Sequence, residues 1–560
     1  MRLETFFEKF ELFADAPNAV GKMRELILES AIRGNLVPRN ANDAPASQLL
    51  KRVEALRSSS VQAGKVRKQV ALSPVGDDAY LQIPRGWEWT RLGNTGRIFI
   101  GDSVSESGKA ELAKIEDGLP FIATKDVGYG RDTLVYDNGL KVALGDTRFK
   151  VARAKAVLIC AEGGSAGRKI GIADRDICFG NKLYANEVWE GIHPRYIFYV
   201  YQAPTFFREF AARMTGIIGG IARSEFLSLP IPLPPEEEQK RIVAKVDELM
   251  ALCDRLEAQQ QERDTRHAAL ARASLSRFAE APTPANLDFL FHKSYPIIPA
   301  DLRKTILTLA VQGKLVPQDP NDEPAQDMLN KIETEKKRLS ECGGLKADKK
   351  AWVNSSTNPP HDIPESWCWV RLQDVFEISR GGSPRPAGDP RFFGGTIPWI
   401  TVGEVTKDSS KYLTETTTGL TEEGSERSRF INPGDLLLTN SGATLGVPKI
   451  SKIRGCMNDG VAVLRLFHTF DLNDFGYLYL THQTPAFRNV NQGMGQPNLN
   501  TPIIAGWFFP LPPLVEQHRI VAKVEQLMVL VDQLETQLTT ARATAKSLMD
   551  AVVVELTESA

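Results

Sequence analysis

The sequence lacks any long run of apolar residues and any cluster of cysteines. No apolar stretch approaches the roughly 20 residues that a membrane-spanning helix needs, and residues 1–9 mix acidic with apolar side chains instead of forming a signal-peptide core. Six cysteines are scattered over 560 residues without a Cys-x-x-Cys pair, which argues against a structural zinc site or a disulfide framework. We therefore expect reduced thiols, no metal site and a cytoplasmic protein.

A strong charge of either sign is also missing. Lys and Arg total 68 against 69 Asp and Glu, which leaves a net charge of −1. The composition alone does not predict a nucleic-acid binder, so any contact with phosphates has to come from a local basic patch. A chain of this length exceeds a single hydrophobic core and predicts about two to four domains.

The familiar catalytic motifs are absent or incomplete. Asn358–His361 resembles the Asn-Pro-Pro-aromatic loop of adenine methyltransferases, but histidine replaces the aromatic residue and no glycine-rich cofactor loop accompanies it. The segment Gly163–Lys169 does not have the spacing of a phosphate-binding loop, and Ile170 stands where that loop needs a hydroxyl. We predict no catalytic residue, no bound metal and no cofactor on this chain.

The strongest signal in the chain is a repeat at half its own length. Three blocks recur in the same order: Gly34–Pro38 with Asn42–Ala46 as Gly313–Pro317 with Asn321–Ala325, Ile83–Leu92 as Ile363–Leu372, and Leu233–Val246 as Leu511–Val524. Between the second and third blocks, residues 93–226 and 373–505 share little. We interpret the repeat as two similar frames that carry two different inserts.

A long helix is predicted after each Pro-Pro pair. Apolar residues alternate at spacings of four and three, which is typical of a coiled-coil seam. The seam residues are Ile242, Val246, Leu249 and Leu256 in the first copy, resuming at Ala268 after a break, and Ile520, Val524, Leu527, Val531, Leu534, Leu538, Ala541, Ala545, Leu548 and Val552 in the second. Residues 236–278 would span roughly 65 Å.

The two helices can be used in three ways. They can pair within the chain as an antiparallel coiled coil, each can pack on its own domain, or they can join two copies of the chain. We expect the first arrangement, because the repeat gives the chain its own pseudo-twofold partner.

The inserts are predicted to mix strands and helices, which makes the fold class α+β. The predicted strands are Pro120–Ala123, Ala156–Ile159 and Tyr196–Val200 in the first insert, and Pro398–Thr401, Asp435–Leu438 and Tyr477–Leu480 in the second. The predicted domains are an N-terminal helical region (1–82), a first mixed α/β domain (83–230), a central helix (231–280), a repeat of the helical region (281–362), a second mixed α/β domain (363–508) and a C-terminal helix (509–560).

Several loops of the inserts have residues suited to DNA. Small residues allow close approach of the backbone, cations meet phosphates, Arg pairs with guanine, and Asn or Gln pairs with adenine. The candidates are Ser165, Arg168, Lys169, Arg380, Arg385, Arg391, Asn440, Ser441, Asn491, Gln492, Gln496, Asn498 and Asn500. Each loop by itself is also compatible with an ordinary solvated turn.

This layout resembles the specificity subunits of type I restriction-modification enzymes. The resemblance rests on the repeated Leu-Pro-Pro-x-x-Glu-Gln block at Leu233 and Leu511, on the Ile-Pro-x-x-Trp-x-Trp block at Ile83 and Ile363, and on Gly434–Leu438 with Ser441-Gly442. The first insert departs from the last pattern, since its segment Ala154–Leu158 lacks the Gly-Asp.

The resemblance implies a double-stranded DNA site in two halves. Each half would be read by one of the two mixed α/β domains, residues 83–230 and 363–508, which that family calls recognition domains. It also implies that the helix pair sets the gap between the halves and docks two methylation subunits and the restriction subunits. S-adenosylmethionine, ATP and Mg²⁺ would belong to those partners. The alternatives are an enzyme with an unrecognised active site and a coiled-coil scaffold whose inserts bind proteins.

Overall fold

The computed structural model describes residues 16–558 except 65, 67–69, 132, 217–218, 293–294, 343–358, 468–471 and 491–497. Backbone contacts divide the chain into two compact units. Unit 1 comprises Met1–Glu262 and Thr540–Ala560, and unit 2 comprises Arg263–Thr539. Each unit thus contains one copy of the frame, one insert and a part of each long helix.

In unit 1, helices come before, between and after the strands. The helices are α1 (Ala19–Arg33), α2 (Ala46–Gln62), α3 (Glu106–Leu112), α4 (Pro194–Gln202), α5 (Pro204–Ala212), α6 (Arg223–Ser228) and the first part of α7 (Glu236–Glu280). The strands are β1 (Glu88–Arg91), β2 (Gly96–Ile100), β3 (Leu119–Ile122), β4 (Lys141–Val142), β5 (Val151–Ala152), β6 (Val157–Cys160), β7 (Ile170–Ile172), β8 (Ile177–Phe179), β9 (Leu183–Val188) and β10 (Pro230–Leu233).

Unit 2 follows the same plan. Its further helices are α8 (Pro284–Leu290), α9 (Pro299–Val311), α10 (Ala325–Glu341), α11 (Leu372–Val375), α12 (Val402–Thr406), α13 (Glu422–Glu426), α14 (Asn473–Arg488), α15 (Thr501–Ala505) and the first part of α16 (Leu514–Glu558). Its strands are β11 (Cys368–Arg371), β12 (Phe376–Arg380), β13 (Phe393–Ile400), β14 (Tyr412–Leu413), β15 (Gly419–Leu420), β16 (Arg429–Ile431), β17 (Leu436–Thr439), β18 (Pro448–Ser451), β19 (Gly455–Met457), β20 (Val461–Leu466) and β21 (Phe508–Leu511).

The two inserts have the same sheet order although their sequences diverge. The sheet β2-β9-β6-β7 of unit 1 corresponds to β12-β20-β17-β18 of unit 2, to which β14 is added. The sheet β4-β3-β8-β5 corresponds to β15-β13-β19-β16, and its central pair is parallel in both units. In each frame the first and last strands pair antiparallel, β1 with β10 and β11 with β21. The predicted α+β class and internal repeat are confirmed.

Glycine is required where the first two repeated blocks meet. Gly34 follows α1 with a φ of 73°, and a Cβ there would lie 2.4 Å from the Pro84 ring. Gly313 follows α9 with a φ of 68°, and its Cβ would lie 2.5 Å from the Pro364 ring. Positive φ and lack of space both exclude a larger side chain, so the repeated Gly and Ile-Pro motifs are parts of one contact.

The first and third repeated blocks are joined by an ion pair in each unit. Arg241 Nη2 lies 2.5 Å from the buried carboxylate of Asp43, and Arg519 Nη2 lies 2.6 Å from that of Asp322. The Asp of the Asn-Asp-x-Pro-Ala motif is therefore the partner of the Arg in the Glu-Gln-x-Arg motif.

Buried polar side chains form hydrogen bonds at the start of each long helix. The side-chain amide of Gln239 donates to the Pro234 carbonyl at 3.0 Å, and that of Gln517 donates to the Pro512 carbonyl at 2.9 Å. Burial raises the pKa of Glu516, whose carboxylate accepts a hydrogen bond of 2.9 Å from the Trp367 indole. The Pro-Pro-x-x-Glu-Gln motif thus orients the helix relative to the preceding strand.

The two long helices pair in opposite directions within each unit. In unit 1, Val246 and Cys253 of the first part of α7 share a core with Ala545 and Met549 of the last part of α16. In unit 2, Phe278 of the last part of α7 shares a core with the first part of α16. The antiparallel pairing that the heptads predict is confirmed. None of the described helices is long and apolar enough to cross a lipid bilayer.

The predicted seam is correct at the start of each helix and only partly correct further along, where Ala545 is buried and Val552 packs against the same core. Residues Ile242, Val246, Leu249, Ile520, Val524, Leu527 and Val531 are buried, and Leu256 and Leu534 are half-buried. Ala268 and Ala541 are exposed, and Leu548 is 39% exposed while its neighbour Met549 is buried. A straight helix drifts about 20° per heptad, so four heptads move the buried stripe by almost one residue.

Two of the predicted strands are helices. Tyr196–Val200 lies in α4 and Tyr477–Leu480 lies in α14. Runs of aromatic and β-branched residues suggested strands, but in α4 the fully buried residues Tyr196, Ile197 and Val200 follow helical spacing. The other four predicted strands coincide with β3, β6, β13 and β17.

Candidate nucleic-acid interface

Two loops, one in each unit, have the same backbone geometry. We call residues 161–169, which follow β6, loop A and residues 440–447, which follow β17, loop B. Each loop has two glycines with positive φ, at Gly163 and Gly167 in loop A and at Gly442 and Gly446 in loop B. The second glycine donates its amide to the last residue of the preceding strand at 2.8 Å in both. The inserts can therefore be compared position by position.

The turns that precede β6 and β17 are also equivalent in the two units. Gly434 has a φ of 95° and donates its amide to Ser451 at 2.8 Å. Lys155 has a φ of 71° and donates its amide to Ala173 at 2.7 Å. The missing Gly-Asp of the first insert is therefore a substitution within the same turn, with Lys155 in a left-handed conformation that glycine adopts more easily.

Loop A contains Ser165, Arg168 and Lys169, the three candidates of the first insert. Arg168 is exposed, with its guanidinium 5.1 Å from the centre of the Phe207 ring. Lys169 donates its ammonium to the Thr124 carbonyl at 3.0 Å. The backbone carbonyl of Ser165 accepts hydrogen bonds from the backbone amides of Arg168 and Lys169. Loop A thus presents the exposed Arg168 and the hydrogen-bonded Lys169 beside the half-buried Ser165.

Open space around the first glycines of each loop leaves the backbone accessible there, whereas Gly167 and Gly446 pack against Phe210 and Phe487. A Cβ added to Gly163, Gly164 or Gly442 would meet no atom within 4 Å. A ligand as flat as a base or as bulky as a phosphate can therefore approach the main chain at these positions.

Five candidates of the second insert converge on the turn of residues 458–460. We call them the unit 2 cluster: Arg380, Arg385, Asn440, Ser441 and Asn498. Arg380 donates to the Asp459 carbonyl, and Arg385 lies 4.0 Å from the Asp459 carboxylate. The amide of Asn440 donates to the Gly460 carbonyl at 2.9 Å. Four separate segments of the sequence therefore meet at one end of the sheet, since Ser441 also pairs with Asn498.

Asn440 is the most unusual member of the unit 2 cluster. Its side chain is buried, and neither its Oδ1 nor its Nδ2 has a hydrogen-bond partner among the described residues. The equivalent residue of loop A is Ala161, whose amide donates to the Lys182 carbonyl at 2.8 Å as that of Asn440 does to Gly460. The fold therefore accepts alanine here and does not require the asparagine.

The remaining candidates lie apart from the unit 2 cluster or outside the described residues. Arg391 forms an ion pair with Asp389, and this pair lowers the pKa of the Asp389 carboxyl. The side chain of Asn500 accepts the Ile503 amide at 3.0 Å and caps α15. Asn491, Gln492 and Gln496 lie outside the described residues. The DNA-contacting role of all these candidates stays a prediction.

Sequence reasoning missed the corresponding turn of unit 1, residues 180–182. Asn181 and Lys182 are exposed there, and the Lys182 ammonium lies 3.8 Å from the Glu162 carboxylate in loop A. The only signal was a Gly-Asn-Lys turn between two short apolar segments. Because the inserts cannot be aligned by sequence, its equivalence to residues 458–460 emerged only from the sheet order.

The electrostatics of the two loops come from these few cations and acids. Within the described part of the chain, no group of three His, Cys, Asp or Glu side chains is arranged to hold a metal ion. Burial raises the pKa of the Cys160 thiol at the start of loop A, so this thiol carries no charge at neutral pH. The arrangement can donate and accept hydrogen bonds and bind anions.

A family model covers most of both units. The model is described as the type I restriction modification DNA specificity domain, and it matches residues 84–263 and 364–541. The two matches contain loop A and loop B respectively. They begin at the same position of the two repeated Ile-Pro blocks.

Curated relatives match along almost the whole chain. It is 30% identical over 571 residues to the specificity subunit of the type I restriction enzyme EcoAI of Escherichia coli, with 95% of this chain and 93% of that protein covered. It is also 30% identical over 576 residues to the EcoEI specificity subunit of Escherichia coli, with the same coverage. A solved structure, the HsdS subunit from Thermoanaerobacter tengcongensis, matches at 19% identity with a TM-score of 0.45, covering 86% of this chain and 98% of that one.

Proposed function

The chain belongs to the family of type I restriction-modification specificity subunits, and we propose from this membership that it reads a bipartite DNA site, one half with each recognition domain. A member of this family is a non-catalytic subunit with two DNA-recognition domains. The finer assignment is that residues 83–230 read one half of the site and residues 363–508 read the other.

The observation that carries this proposal is the equivalence of loops A and B. Two units with one sheet order present different side chains at equivalent positions, namely Ala161 against Asn440 and Glu162 against Ser441. Base edges in the major groove are distinguished by their donor and acceptor patterns. Equivalent backbones with different side chains therefore support the proposal that the two recognition domains bind different DNA sequences.

The half-sites differ in the contacts that each unit offers. In unit 1, Arg168 and Lys182 are exposed cations that can bind phosphates or guanine, and Asn181 can pair with adenine. In unit 2 the corresponding groups are the guanidinium groups of Arg380 and Arg385, the Ser441 hydroxyl, the Asn498 amide and the buried Asn440 amide. Phosphate contacts would set the position of each domain, and the amide and hydroxyl groups would select bases.

The long helices α7 and α16 supply the spacing in this proposal. A scaffold of fixed length between two readers makes the gap a geometric consequence of the protein. We further propose that the helices dock two methylation subunits and the restriction subunits, and that S-adenosylmethionine, ATP and Mg²⁺ are bound by those partners. The assembly would work in the cytoplasm, where it meets chromosomal DNA.

An exchange of segments tests the assignment of the half-sites. Residues 83–230 are replaced by the corresponding segment of a relative with another specificity, and the hybrid is produced with its methylation subunit. We expect the methylated motif to change in one half only, with the gap preserved. The matched control exchanges residues 363–508, which should change the other half. A hybrid that alters both halves, or neither, would contradict the proposal.

A further inference from the structure

Arg131 joins the first recognition domain to the helix that follows it. Arg131 lies in the loop between β3 and β4, and its guanidinium donates to the Glu257 carboxylate of α7 at 2.5 Å. It also lies 3.6 Å from the Asp254 carboxylate, one helical turn earlier. A side chain of the insert thus contacts the first part of α7 within unit 1.

The same two acids already belong to the repeated frame. Arg24 of α1 donates to Asp254 at 2.6 Å and to Glu257 at 2.9 Å. In unit 2 the equivalent Arg303 donates to Asp532 and Glu535 at 2.6 and 2.7 Å. The frame ion pairs are therefore common to both units, and Arg131 is an addition made by the first insert.

The two arginines together balance the two carboxylates of α7. Hydrogen bonds from Arg131 and Arg24 lower the pKa of Glu257, so this carboxylate is ionised at neutral pH. The Arg24 side chain is only 9% exposed, whereas that of Arg131 is 51% exposed. The frame pair is therefore the more buried of the two, and Arg131 attaches the insert to the same two carboxylates.

Contacts run from Arg131 back to loop A. Gly130 has a φ of 81°, and a Cβ there would lie 2.5 Å from the side chain of Gln202. The ring of Tyr129 lies 5.6 Å from the ammonium of Lys169, and Ile170 donates its amide to Gly128 at 3.0 Å. The segment that ends at Arg131 thus packs directly against the end of loop A.

The second recognition domain is joined to its own helix by a different cation. Lys411, just before β14, lies 3.0 Å from the Glu525 carboxylate of α16 and 2.8 Å from Asp474 at the start of α14. Its side chain is 17% exposed. Glu525 corresponds to Asp247 in the repeat, and Asp247 pairs with Arg195 of the first insert at 2.6 Å. Both inserts therefore contact their helix at this level, and Arg131 adds a further contact of the first insert with Asp254 and Glu257.

We propose that Arg131 and Lys411 are positioning residues that hold each recognition domain at one angle on the following long helix and thereby restrict the gap between half-sites. This inference rests on the proposed reading of a bipartite site. A fixed gap requires that each recognition domain keep one orientation on its helix. The two ion pairs add to the contacts that the first insert already makes with its frame, among them Arg195 with Asp247 at 2.6 Å and Thr205 with Glu29 at 2.5 Å.

The expected effect is moderate, because exposed ion pairs contribute little. A pair of this exposure changes an equilibrium by about threefold, and the better buried Lys411 should have the larger effect. The property affected is the preference among gap lengths, measured as the ratio of methylation rates at the native gap and at gaps one base pair longer or shorter.

The test uses the full chain produced with its methylation subunit and plasmids that carry the three gaps. Variants are Arg131→Ala, Arg131→Lys and Lys411→Ala, with Arg148→Ala as the control, since Arg148 contacts Asp146 and the Phe149 ring, both inside the first insert. We expect the ratio to fall about threefold in Arg131→Ala, to recover in Arg131→Lys, and to stay unchanged in the control. Thermal unfolding verifies that each variant is folded.

Two results would overturn the inference in different ways. Equal losses at all three gaps, or unchanged ratios in both alanine variants, would mean that the ion pairs do not position the domains. A wild-type protein that methylates a contiguous motif, with no gap at all, would refute the proposed function itself.

Discussion

At the scale of single residues, Asn440 is the clearest difference between the two equivalent loops. A buried amide without hydrogen-bond partners costs about 1–3 kcal/mol, and Ala161 shows that the loop forms without it. Groups that reduce stability in this way are often retained for function. Asn440 is therefore the residue of loop B that we expect to matter most for recognition.

Replacing Asn440 by alanine should separate stability from recognition. We expect Asn440→Ala to raise the free energy of unfolding by about 1 kcal/mol, and to weaken methylation at sites with the correct second half-site. Urea unfolding and methylation of a plasmid site measure the two effects. The matched variant Ala161→Asn should lower stability. A destabilised Asn440→Ala protein would indicate a structural role instead.

The strained turn at Lys155 gives a second residue-scale prediction. A non-glycine residue with positive φ costs about 1 kcal/mol relative to glycine, and Lys155, whose side chain is exposed, stands where unit 2 has Gly434. We expect Lys155→Gly to raise the free energy of unfolding by up to about 1 kcal/mol. Gly434→Ala should lower it, and a loss of stability in Lys155→Gly would contradict this reading of the turn.

At the scale of elements, the repeated Gln at the start of each long helix has an unequal role. Gln239 donates to Pro234 and also accepts the His193 amide at 2.8 Å, whereas Gln517 donates to Pro512 and its Oε1 accepts from none of the residues that the structure describes. Both side chains are buried, so each lost partner leaves an unsatisfied backbone group. The two helices therefore begin with the same motif but different numbers of hydrogen bonds.

Replacing Gln239 and Gln517 by alanine should show how much the additional hydrogen bond of Gln239 stabilises the protein. We expect Gln239→Ala to destabilise the protein by about 1 kcal/mol more than Gln517→Ala, because it orphans one more backbone group. Chemical unfolding of both variants, with circular dichroism as the probe, measures this. Equal losses would show that the His193 contact does not contribute.

Elements with a strong period were predicted well, and short ones were not. The long helices were placed correctly because their apolar spacing persists over many turns. The segment at Tyr196 was mistaken for a strand because a short apolar run has no clear period. The shift of burial from Leu548 to Met549 could not be foreseen, since it depends on how far a straight helix departs from the heptad.

At the scale of the whole molecule, the internal repeat predicted two frames with two inserts, and the sheets confirm it. The sequence could not predict that the inserts themselves are equivalent, because few positions such as Gly163 and Gly442 mark their shared turns. The convergence of Arg380, Asn440 and Asn498 was likewise invisible, since strand order brings these distant segments together.

The central claim is that this chain determines which DNA sequence its complex methylates. The most direct measurement maps methylated bases across a genome that encodes the methylation subunit, with the gene for this chain intact and deleted. We predict that deletion abolishes one motif, made of two short blocks around a fixed gap, and that restoring the chain restores the motif. Methylation that is unchanged on deletion, with the methylation subunit shown to be present and active, would contradict the account.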